Sequence, residues 1–185
     1  MDFTGERPTT GSGKEGSIMR YHSISSFCHN KTVLDYGCGI GIGTKYLSKY
    51  CKKIIGWEPC KEALKEAQQD FIGENVTYIE SMTDLKDNID ITCMVEVIEH
   101  IEKPEVIKLL EKIKSDLIGT TPNGNLFPYH PMSLSERRGY HVWHYTYQEL
   151  YDLLNKFFSY VEVYGAIWDP RIAAFTSLNF IAKHE

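Results

Sequence analysis

The stretch Val-Leu-Asp-Tyr-Gly-Cys-Gly-Ile-Gly-Ile-Gly at residues 33–43 decides the fold of this chain. A short apolar run ends in an acid, Asp35, and four glycines follow at every second position. Residues 44–50 then have helical character, so the stretch predicts a strand, a tight glycine turn and the start of a helix. Because glycine has no side chain, such a turn lets the backbone approach a ligand closely, and the expected ligand is a nucleotide-type cofactor.

Length and composition predict a single globular domain over residues 1–185. The chain is 42% apolar and 24% charged, which is typical of a protein with an ordinary hydrophobic core. No apolar run approaches the ~20 residues that span a bilayer, and the N-terminus does not resemble a signal peptide. Five cysteines without a C-x-x-C pair indicate reduced thiols and a cytoplasmic protein. The net charge of −5 argues against long duplex nucleic acid as a partner.

Alternating strand and helix patterns predict an α/β fold of the three-layer, doubly wound kind, with a mostly parallel seven-stranded sheet. The last two strands have no helix between them, so the last strand is expected to be antiparallel. Residues 1–30 are interpreted as an N-terminal arm and a lid helix, and residues 4–16 of this arm are expected to be mobile. Residues 122–145 are interpreted as an acceptor loop, the loop that meets the substrate. The predicted strands cover 32–36, 53–57, 76–79, 89–95, 116–121, 158–165 and 172–182, and the predicted helices cover 17–29, 43–50, 60–71, a segment from 104, and 146–156.

The glycine spacing indicates which cofactor the turn binds. Dinucleotide-binding turns read G-x-G-x-x-G, which seats a pyrophosphate on a helix N-terminus. Here the glycines strictly alternate, and Asp35 stands two residues before Gly37. An acid in the turn would repel a pyrophosphate and suit a cation, such as the sulfonium of S-adenosylmethionine. Glu58 ends the second predicted strand, where a carboxylate can accept hydrogen bonds from ribose hydroxyls of either cofactor, and a nicotinamide-dependent oxidoreductase is the alternative from another class.

Several motifs resemble those of class I S-adenosylmethionine-dependent methyltransferases, over about residues 31–165. Residues 33–41 and 54–58 are similar to the first and second motifs of that family. The run Thr-Cys-Met-Val-Glu-Val-Ile-Glu-His at 92–100 resembles the subgroup that includes ubiquinone-biosynthesis O-methyltransferases, and Thr-Thr-Pro-Asn at 120–123 resembles the ending of the fifth strand in relatives. The resemblance implies a Rossmann-like fold and S-adenosylmethionine as cofactor, released as S-adenosylhomocysteine.

The resemblance also implies which residues bind the cofactor. Phe3–Pro8 and Met19–Tyr21 resemble elements of methyltransferases that modify sugars or polysaccharides. Arg20 is therefore expected to pair with the methionine carboxylate and Tyr21 to line the cleft; the alternative is that both residues only dock the first helix onto the sheet. Met82 stands where relatives carry an acid near the adenine amine, which leaves adenine to backbone groups or to Asp84. For Asp35 the alternative is a carboxylate that stabilises the turn, and for Glu58 it is an exposed acid at a strand end. The predicted cofactor-binding residues are Arg20, Asp35, Gly37, Cys38, Gly39, Gly41, Glu58, Met82 and Glu96.

Acids and histidines are predicted to meet the methyl acceptor. A helical turn after the fourth strand would put Glu96, Glu99 and His100 on one face. Residues 139–146 resemble a stretch of sugar-modifying relatives and also one of small-RNA 2′-O-methyltransferases, in which E-x-x-E-H and a later histidine bind a divalent metal. The resemblance implies Glu96, Glu99, His100 and His141 as ligands of Mg²⁺ or Mn²⁺, with His141 and His100 as catalytic residues. In the metal-free alternative, Glu96 supports the cofactor pocket, Glu99 and His100 only support neighbouring residues, and His141 is a base or a substrate contact.

The predicted acceptor is a small molecule, a hydroxyl of a sugar or nucleotide-sugar. The loop is aromatic and locally basic, which suits stacking on a sugar or base and contact with a phosphate; Trp168 and Arg171 are expected to border the same mouth. An amino sugar, a 2′-hydroxyl of RNA and a quinone-like phenol are alternative acceptors, and a non-catalytic cofactor-binding protein is a further alternative. The His141-x-x-His144 pair lacks cysteine partners and does not favour zinc. The residues that make the acceptor loop aromatic and locally basic are Tyr129, His130, Arg137, Arg138, Tyr140 and Trp143.

Overall fold

A computed structural model describes residues 11–129 and 140–184 of the chain. The chain divides into two compact units, Met1–Val95 and Glu96–Glu185. No helix in the described ranges is long and apolar enough to cross a membrane.

The first unit alternates strands with helices, as the sequence pattern predicts. Two short 3₁₀ helices, Ser25–Cys28 and Met82–Asp84, accompany its regular elements. The strands are β1 (Thr32–Tyr36), β2 (Lys53–Trp57), β3 (Val76–Ile79) and β4 (Ile91–Val95), and the helices are α1 (Gly11–Ile24), α2 (Ile42–Leu47) and α3 (Lys61–Asp70).

All strand pairs of the first unit are parallel. β1 pairs with β2 on one side and with β4 on the other, and β2 pairs with β3. Val33 and Leu34 of β1 are buried, as are all five residues of β4, because a parallel strand covered on both faces is apolar throughout. The strand order reverses at β1, and such a reversal is the usual place for a ligand beyond the carboxyl ends of the strands.

The second unit ends in an antiparallel arrangement. β7 pairs antiparallel with both β5 and β6. Pro104 lies in the first turn of α4, and a capping box between Thr146 and Glu149 begins α5, both as the sequence predicts. The regular elements are α4 (Lys103–Leu110), β5 (Asp116–Pro122), α5 (Tyr147–Leu154), β6 (Tyr160–Asp169) and β7 (Ala174–Lys183).

The seven strands follow the order β3-β2-β1-β4-β5-β7-β6, which confirms the predicted fold class of an α/β mixed sheet with an antiparallel last strand. The prediction of a mobile arm over residues 4–16 is wrong from residue 11 onward, where α1 begins. The three glycines of α1 disfavour a helix, but intrinsic helix propensity is a weak determinant that the surroundings of a segment can override. Residues 4–10 lie outside the described ranges.

Candidate active site

The turn after β1 has the conformation that its alternating glycines predict. Gly37, Gly39 and Gly41 have φ angles of 78°, 55° and 87°, in the left-handed region that favours glycine. Gly41 is also the N-cap of α2. The amides of Gly37 and Cys38 donate to the carbonyl of Trp57 at 2.8 and 3.0 Å, which ties the turn to the end of β2.

The glycines of this turn have different surroundings. A Cβ on Gly41 would lie 2.5 Å from the Tyr78 hydroxyl oxygen, and a Cβ on Gly43 would lie 2.0 Å from the Tyr21 ring. Both positions therefore require glycine for close packing. A Cβ on Gly39 would meet no atom within 4 Å. Gly39 borders open space, where a ligand can approach the backbone.

Asp35 is a buried anchor of the first unit. Its side chain is fully buried, Oδ1 accepts a hydrogen bond from the Tyr21 hydroxyl at 3.0 Å, and Oδ2 accepts one from the Thr44 hydroxyl at 2.6 Å. Burial raises the pKa of the Asp35 carboxyl to about 6, although the two hydrogen bonds lower it. The structure thus shows the predicted stabilising function of Asp35, and its contact with a sulfonium stays a prediction.

Tyr21 docks α1 onto the first unit instead of lining a cleft. It is buried, and its ring packs over Gly43. Arg20 is half-buried, and its Nη1 lies 3.4 Å from the position of a Cβ built on Gly16. Pairing of Arg20 with the methionine carboxylate stays a prediction, and the motif Phe3–Pro8 lies outside the described residues.

Glu58 is held by two backbone amides. Its Oε2 accepts from the Gly39 amide at 3.0 Å and its Oε1 from the Cys60 amide at 2.9 Å. The side chain is buried, so the alternative of an exposed strand-end acid is wrong. Each carboxylate oxygen has two lone pairs and can accept a second hydrogen bond, which leaves capacity for the predicted ribose contact.

Met82 and Cys38 occupy contrasting positions. Met82 begins the 3₁₀ helix Met82–Asp84 and is exposed, whereas Cys38 is buried and burial raises the pKa of its thiol. The Asp84 carboxylate accepts from the Ser81 amide at 3.2 Å and completes a capping box, so Asp84 has a local structural function. Adenine contacts near Met82 and Cys38 stay predictions.

In the second unit, Glu99, His100 and His141 bring one ligand atom each within 4.8 Å of one another. Glu99 is fully buried, and its Oε2 accepts from the Thr121 hydroxyl at 3.0 Å. The rings of His100 and His141 meet edge to face with centroids 4.6 Å apart. The Val142 amide donates to the Glu99 carbonyl at 2.7 Å and holds the loop against the Glu99 segment. A group of this kind can hold a divalent cation or move a proton.

Glu96 is not in this group, contrary to the expectation that one helical turn carries all three residues after β4. The 3₁₀ helix there covers only Ile98–His100, and Glu96 precedes it with a left-handed φ of 56°. Its Oε1 accepts from the Thr120 hydroxyl at 2.8 Å, whereas Glu99 is bonded to Thr121. Successive side chains of a strand point to opposite faces, so Thr120 and Thr121 of β5 hold the two acids on different sides.

The partners of the imidazoles determine which nitrogen carries a lone pair. His100 Nδ1 lies 3.1 Å from the Tyr140 carbonyl oxygen. Because a carbonyl only accepts, Nδ1 donates, and in the neutral ring of His100 the lone pair is on Nε2. His141 Nδ1 contacts His144 Nε2 at 2.5 Å, and His144 Nδ1 lies 2.6 Å from the carbonyl oxygen of Phe127.

Other predicted acceptor residues are spread over the second unit. Tyr140 is half-exposed, and the Lys103 ammonium lies 3.3 Å from the centroid of the Trp143 ring. Trp168 is half-exposed and packs edge to face against Phe175 with centroids 5.1 Å apart. Arg171 forms an ion pair with Asp169 in the turn between β6 and β7. The loop residues His130, Arg137 and Arg138 lie outside the described ranges.

Sequence reasoning missed the functions of Thr120, Thr121 and His144. The two threonines are fully buried and orient Glu96 and Glu99. The signal was present in the Thr-Thr-Pro-Asn motif, whose hydroxyls lie at a strand end and need acceptors once buried. The sequence suggests His144 only as half of a zinc-type histidine pair, which the missing cysteine partners disfavour, whereas the contacts of His144 are with His141 and the Phe127 carbonyl.

Known structures share this fold at low sequence identity. An S-adenosylmethionine-dependent methyltransferase from Mesorhizobium loti matches with a TM-score of 0.68 and 13% identity, over 92% of this chain and 100% of that one. The methyltransferase domain of bacterial CtHen1-C matches with a TM-score of 0.62 and 22% identity, over 89% of this chain and 95% of that one. Magnesium protoporphyrin IX methyltransferase from Synechocystis PCC 6803 with bound S-adenosylhomocysteine matches with a TM-score of 0.63 and 15% identity, over 97% of this chain and 90% of that one.

A family model described as a methyltransferase domain matches residues 20–161. No curated protein sequence matches the chain. The family model covers both the glycine turn and the Glu99–His100–His141 group, and it excludes the alternative of a nicotinamide-dependent oxidoreductase. The chain therefore belongs to this methyltransferase-domain family and is a class I S-adenosylmethionine-dependent methyltransferase.

Proposed function

We propose that this methyltransferase methylates a hydroxyl of a small polar acceptor that carries neighbouring hydroxyls, such as a sugar or nucleotide-sugar. The observation that carries the proposal is the convergence of Glu99, His100 and His141 within 4.8 Å. A hydroxyl becomes a competent nucleophile when its proton is removed, whereas a free amine needs no such help. A carboxylate and two imidazoles are therefore more useful for a hydroxyl acceptor than for an amine.

The glycine turn and Glu58 are proposed as the cofactor-binding part. When bound, S-adenosylmethionine supplies an activated methyl group on a sulfonium sulfur. Gly39 offers open space beside the backbone, and Glu58 accepts from the Gly39 amide with lone pairs left for ribose hydroxyls. Asp35 accepts hydrogen bonds from Tyr21 of α1 and Thr44 of α2 and so holds both helices against β1. The chain is proposed to form one catalytic domain and, with its free cysteines, to work in the cytoplasm.

The donor set of the second unit fits a divalent cation. Glu99, His100 and His141 would hold it, and the ion would lower the pKa of a bound hydroxyl. Two imidazoles with one carboxylate suit Mn²⁺ or a later transition ion better than Mg²⁺, which prefers oxygen ligands. The hydrogen bond from Thr121 fixes the Glu99 carboxylate, as outer-shell partners of metal ligands commonly do. Without a metal, His141 Nε2 would take the hydroxyl proton.

A 2′-hydroxyl of RNA is the second candidate acceptor, because the vicinal hydroxyls of a terminal ribose present the same chemistry to the Glu99–His100–His141 group. The net charge of −5 disfavours a long RNA, since phosphate binding needs a positive surface. A short 3′ end remains compatible with that charge.

The test is transfer of radioactive methyl from labelled S-adenosylmethionine to four acceptor classes: sugars and nucleotide-sugars, amino sugars, phenols, and short RNA with intact or periodate-oxidised 3′ ends. We expect O-methyl sugar products by mass spectrometry. N-methyl products alone, or transfer to phenols alone, would contradict the proposal. Transfer to intact RNA but not to oxidised RNA would select the second candidate.

A second arm separates metal assistance from a base. Activity is measured after EDTA treatment and after return of Mn²⁺, Mg²⁺ or Co²⁺, in wild type, Glu99→Gln and the matched control Glu105→Gln. Glu105 is an exposed acid of α4, paired with Lys108. Metal assistance predicts loss with EDTA, rescue by Mn²⁺ and loss in Glu99→Gln only. Full activity in EDTA would assign the proton transfer to His141 alone.

A further inference from the structure

His144 lies between a backbone carbonyl and His141. Its Nδ1 is 2.6 Å from the Phe127 carbonyl oxygen, and its Nε2 is 2.5 Å from His141 Nδ1. The His144 amide also donates to the Tyr129 carbonyl at 3.0 Å, so both its backbone and its ring are held.

The Phe127 carbonyl determines where the protons of the two rings lie. A carbonyl oxygen cannot donate, so the proton in the first contact belongs to His144 Nδ1. Neutral His144 then has its lone pair on Nε2, which can only accept, and the proton in the second contact belongs to His141 Nδ1. Neutral His141 is therefore left with its lone pair on Nε2. His100 has its lone pair on Nε2 for the same reason, because its Nδ1 donates to the Tyr140 carbonyl.

The carbonyl that begins this chain of hydrogen bonds is itself fixed by a turn. The Phe127 amide donates to the Asn123 carbonyl at 2.9 Å, and the Asn123 amide donates to the Thr176 carbonyl of β7 at 3.1 Å. The Gly124 amide donates to the Tyr145 carbonyl at 2.9 Å, and a Cβ on Gly124 would lie 2.6 Å from the His144 carbonyl oxygen. Glycine at 124 thus permits the close approach that brings residue 144 beside the turn.

We propose that His144 is a positioning residue: it holds His141 as the Nδ1–H tautomer and directs the Nε2 lone pair to the reaction. The proposal rests on the proposed function in that His141 acts on the acceptor or on a metal ion, and either use requires the lone pair that this tautomer places on Nε2. The Thr-Thr-Pro-Asn segment then orients both parts of the group, through Thr121 for Glu99 and through the turn at Asn123 for His144 and His141.

The experiment reads the tautomer directly. Long-range ¹H–¹⁵N correlation spectra of ¹⁵N-histidine-labelled protein distinguish Nδ1–H from Nε2–H imidazoles without any methyl acceptor. Spectra and methyl-transfer kinetics are recorded for wild type, His144→Ala, His144→Gln and the control His184→Gln. The control also removes a ring contact with a backbone carbonyl, that of Ile113, at 3.2 Å. The glutamine at 144 retains an amide donor for Phe127 and an amide oxygen for His141.

We expect the Nδ1–H form of His141 in wild type and in His144→Gln, and its loss in His144→Ala. kcat/KM should fall about 10- to 100-fold in His144→Ala through kcat, the usual effect of removing such a partner, and should recover largely in His144→Gln. An Nε2–H form of His141 in the wild type would overturn the proposal, as would an unchanged tautomer and kcat in His144→Ala. Should His144→Ala fail to fold, the wild-type and His144→Gln spectra decide the question. Absence of any transferase activity would count against the proposed function alone, because the tautomer is read without turnover.

Discussion

The glycine turn of the first unit and the Glu99–His100–His141 group of the second unit are built in different ways. The turn is one contiguous stretch in which missing side chains create left-handed backbone and open space at Gly39. The Glu99–His100–His141 group contains residues 41 positions apart, His100 and His141, whose rings are oriented by other groups. The comparison teaches that a turn made of backbone depends on the absence of side chains, whereas a group made of side chains depends on the partners that orient them.

The largest effect is expected where the reacting group itself is removed. His141→Ala should lower kcat by about 10²- to 10⁴-fold, the usual contribution of a general base, and leave the affinity for S-adenosylhomocysteine within about twofold. Methyl-transfer kinetics and titration calorimetry measure the two quantities, with the surface variant His29→Gln as control. Equal loss of cofactor affinity and of kcat would show that the two regions do not work separately.

Gly43→Ala should destabilise the fold by about 3 kcal/mol, because a Cβ 2.0 Å from the Tyr21 ring forces that ring away from Asp35. Gly16→Ala is the matched control: its Cβ would lie 3.4 Å from Arg20 Nη1, and alanine is the better helix former by about 1 kcal/mol. Urea unfolding measures both variants. Similar free energies of unfolding for the two variants would contradict the packing that the structure shows around Gly43.

Asp35 makes the stability of the protein depend on pH. Its folded pKa of about 6 exceeds the ordinary value of 3.8, so burial favours the protonated carboxyl. The stabilisation of the folded state by protonated Asp35 is fully present below the unfolded pKa and is lost as the pH rises through about 6. Over roughly two pKa units the free energy of unfolding falls by about 3 kcal/mol.

Asp35→Asn removes this ionisation. The free energy of unfolding of the variant, relative to wild type, should therefore rise by up to about 3 kcal/mol between pH 4 and pH 8. Urea unfolding at a series of pH values measures the difference. Parallel pH profiles for the two proteins would exclude a buried carboxyl with a raised pKa.

Gly39→Ala should have the smallest effect on stability and a clear effect on binding. Its left-handed φ of 55° costs alanine about 1–2 kcal/mol, and no neighbouring atom is displaced. Affinity for S-adenosylhomocysteine should nevertheless fall at least about tenfold, since the added methyl group occupies the open space beside the turn. Calorimetry on the folded variant tests this, and unchanged affinity would place the cofactor elsewhere.

Much of the first unit was predictable because the determinants of its strands and of its glycine turn are local. β1, β2 and β3 begin and end where the apolar runs and the glycines predict. The alternation of Gly37, Gly39 and Gly41 predicted the turn before any contact was known. The prediction of a mobile segment up to residue 16 was wrong because composition does not reveal that α1 packs through Tyr21 over Gly43.

The group of acids and histidines in the second unit was predictable only in part. The motif resemblance implied Glu99, His100 and His141, and the structure brings those three together. It also implied Glu96, whose Oε1 accepts a hydrogen bond from the Thr120 hydroxyl. Binding of a metal or of the cofactor by Glu96 stays a prediction. The assumption of one continuous helical turn failed there because Glu96 has a left-handed φ, a conformation that sequence patterns rarely reveal outside glycine.

The sequence by itself determined the strand–turn–helix at residues 33–43, the α/β class and the identity of a methyltransferase, since periodicity, glycine spacing and motifs are local or nearly local properties. Only the tertiary structure decided that Asp35 is an anchor, that Glu96 and Glu99 are bonded to different threonines, and that His144 contacts both Phe127 and His141. The physical reason is that a hydrogen bond between residues distant in the chain depends on distances and angles that folding sets, and these decide which atoms donate, accept and react.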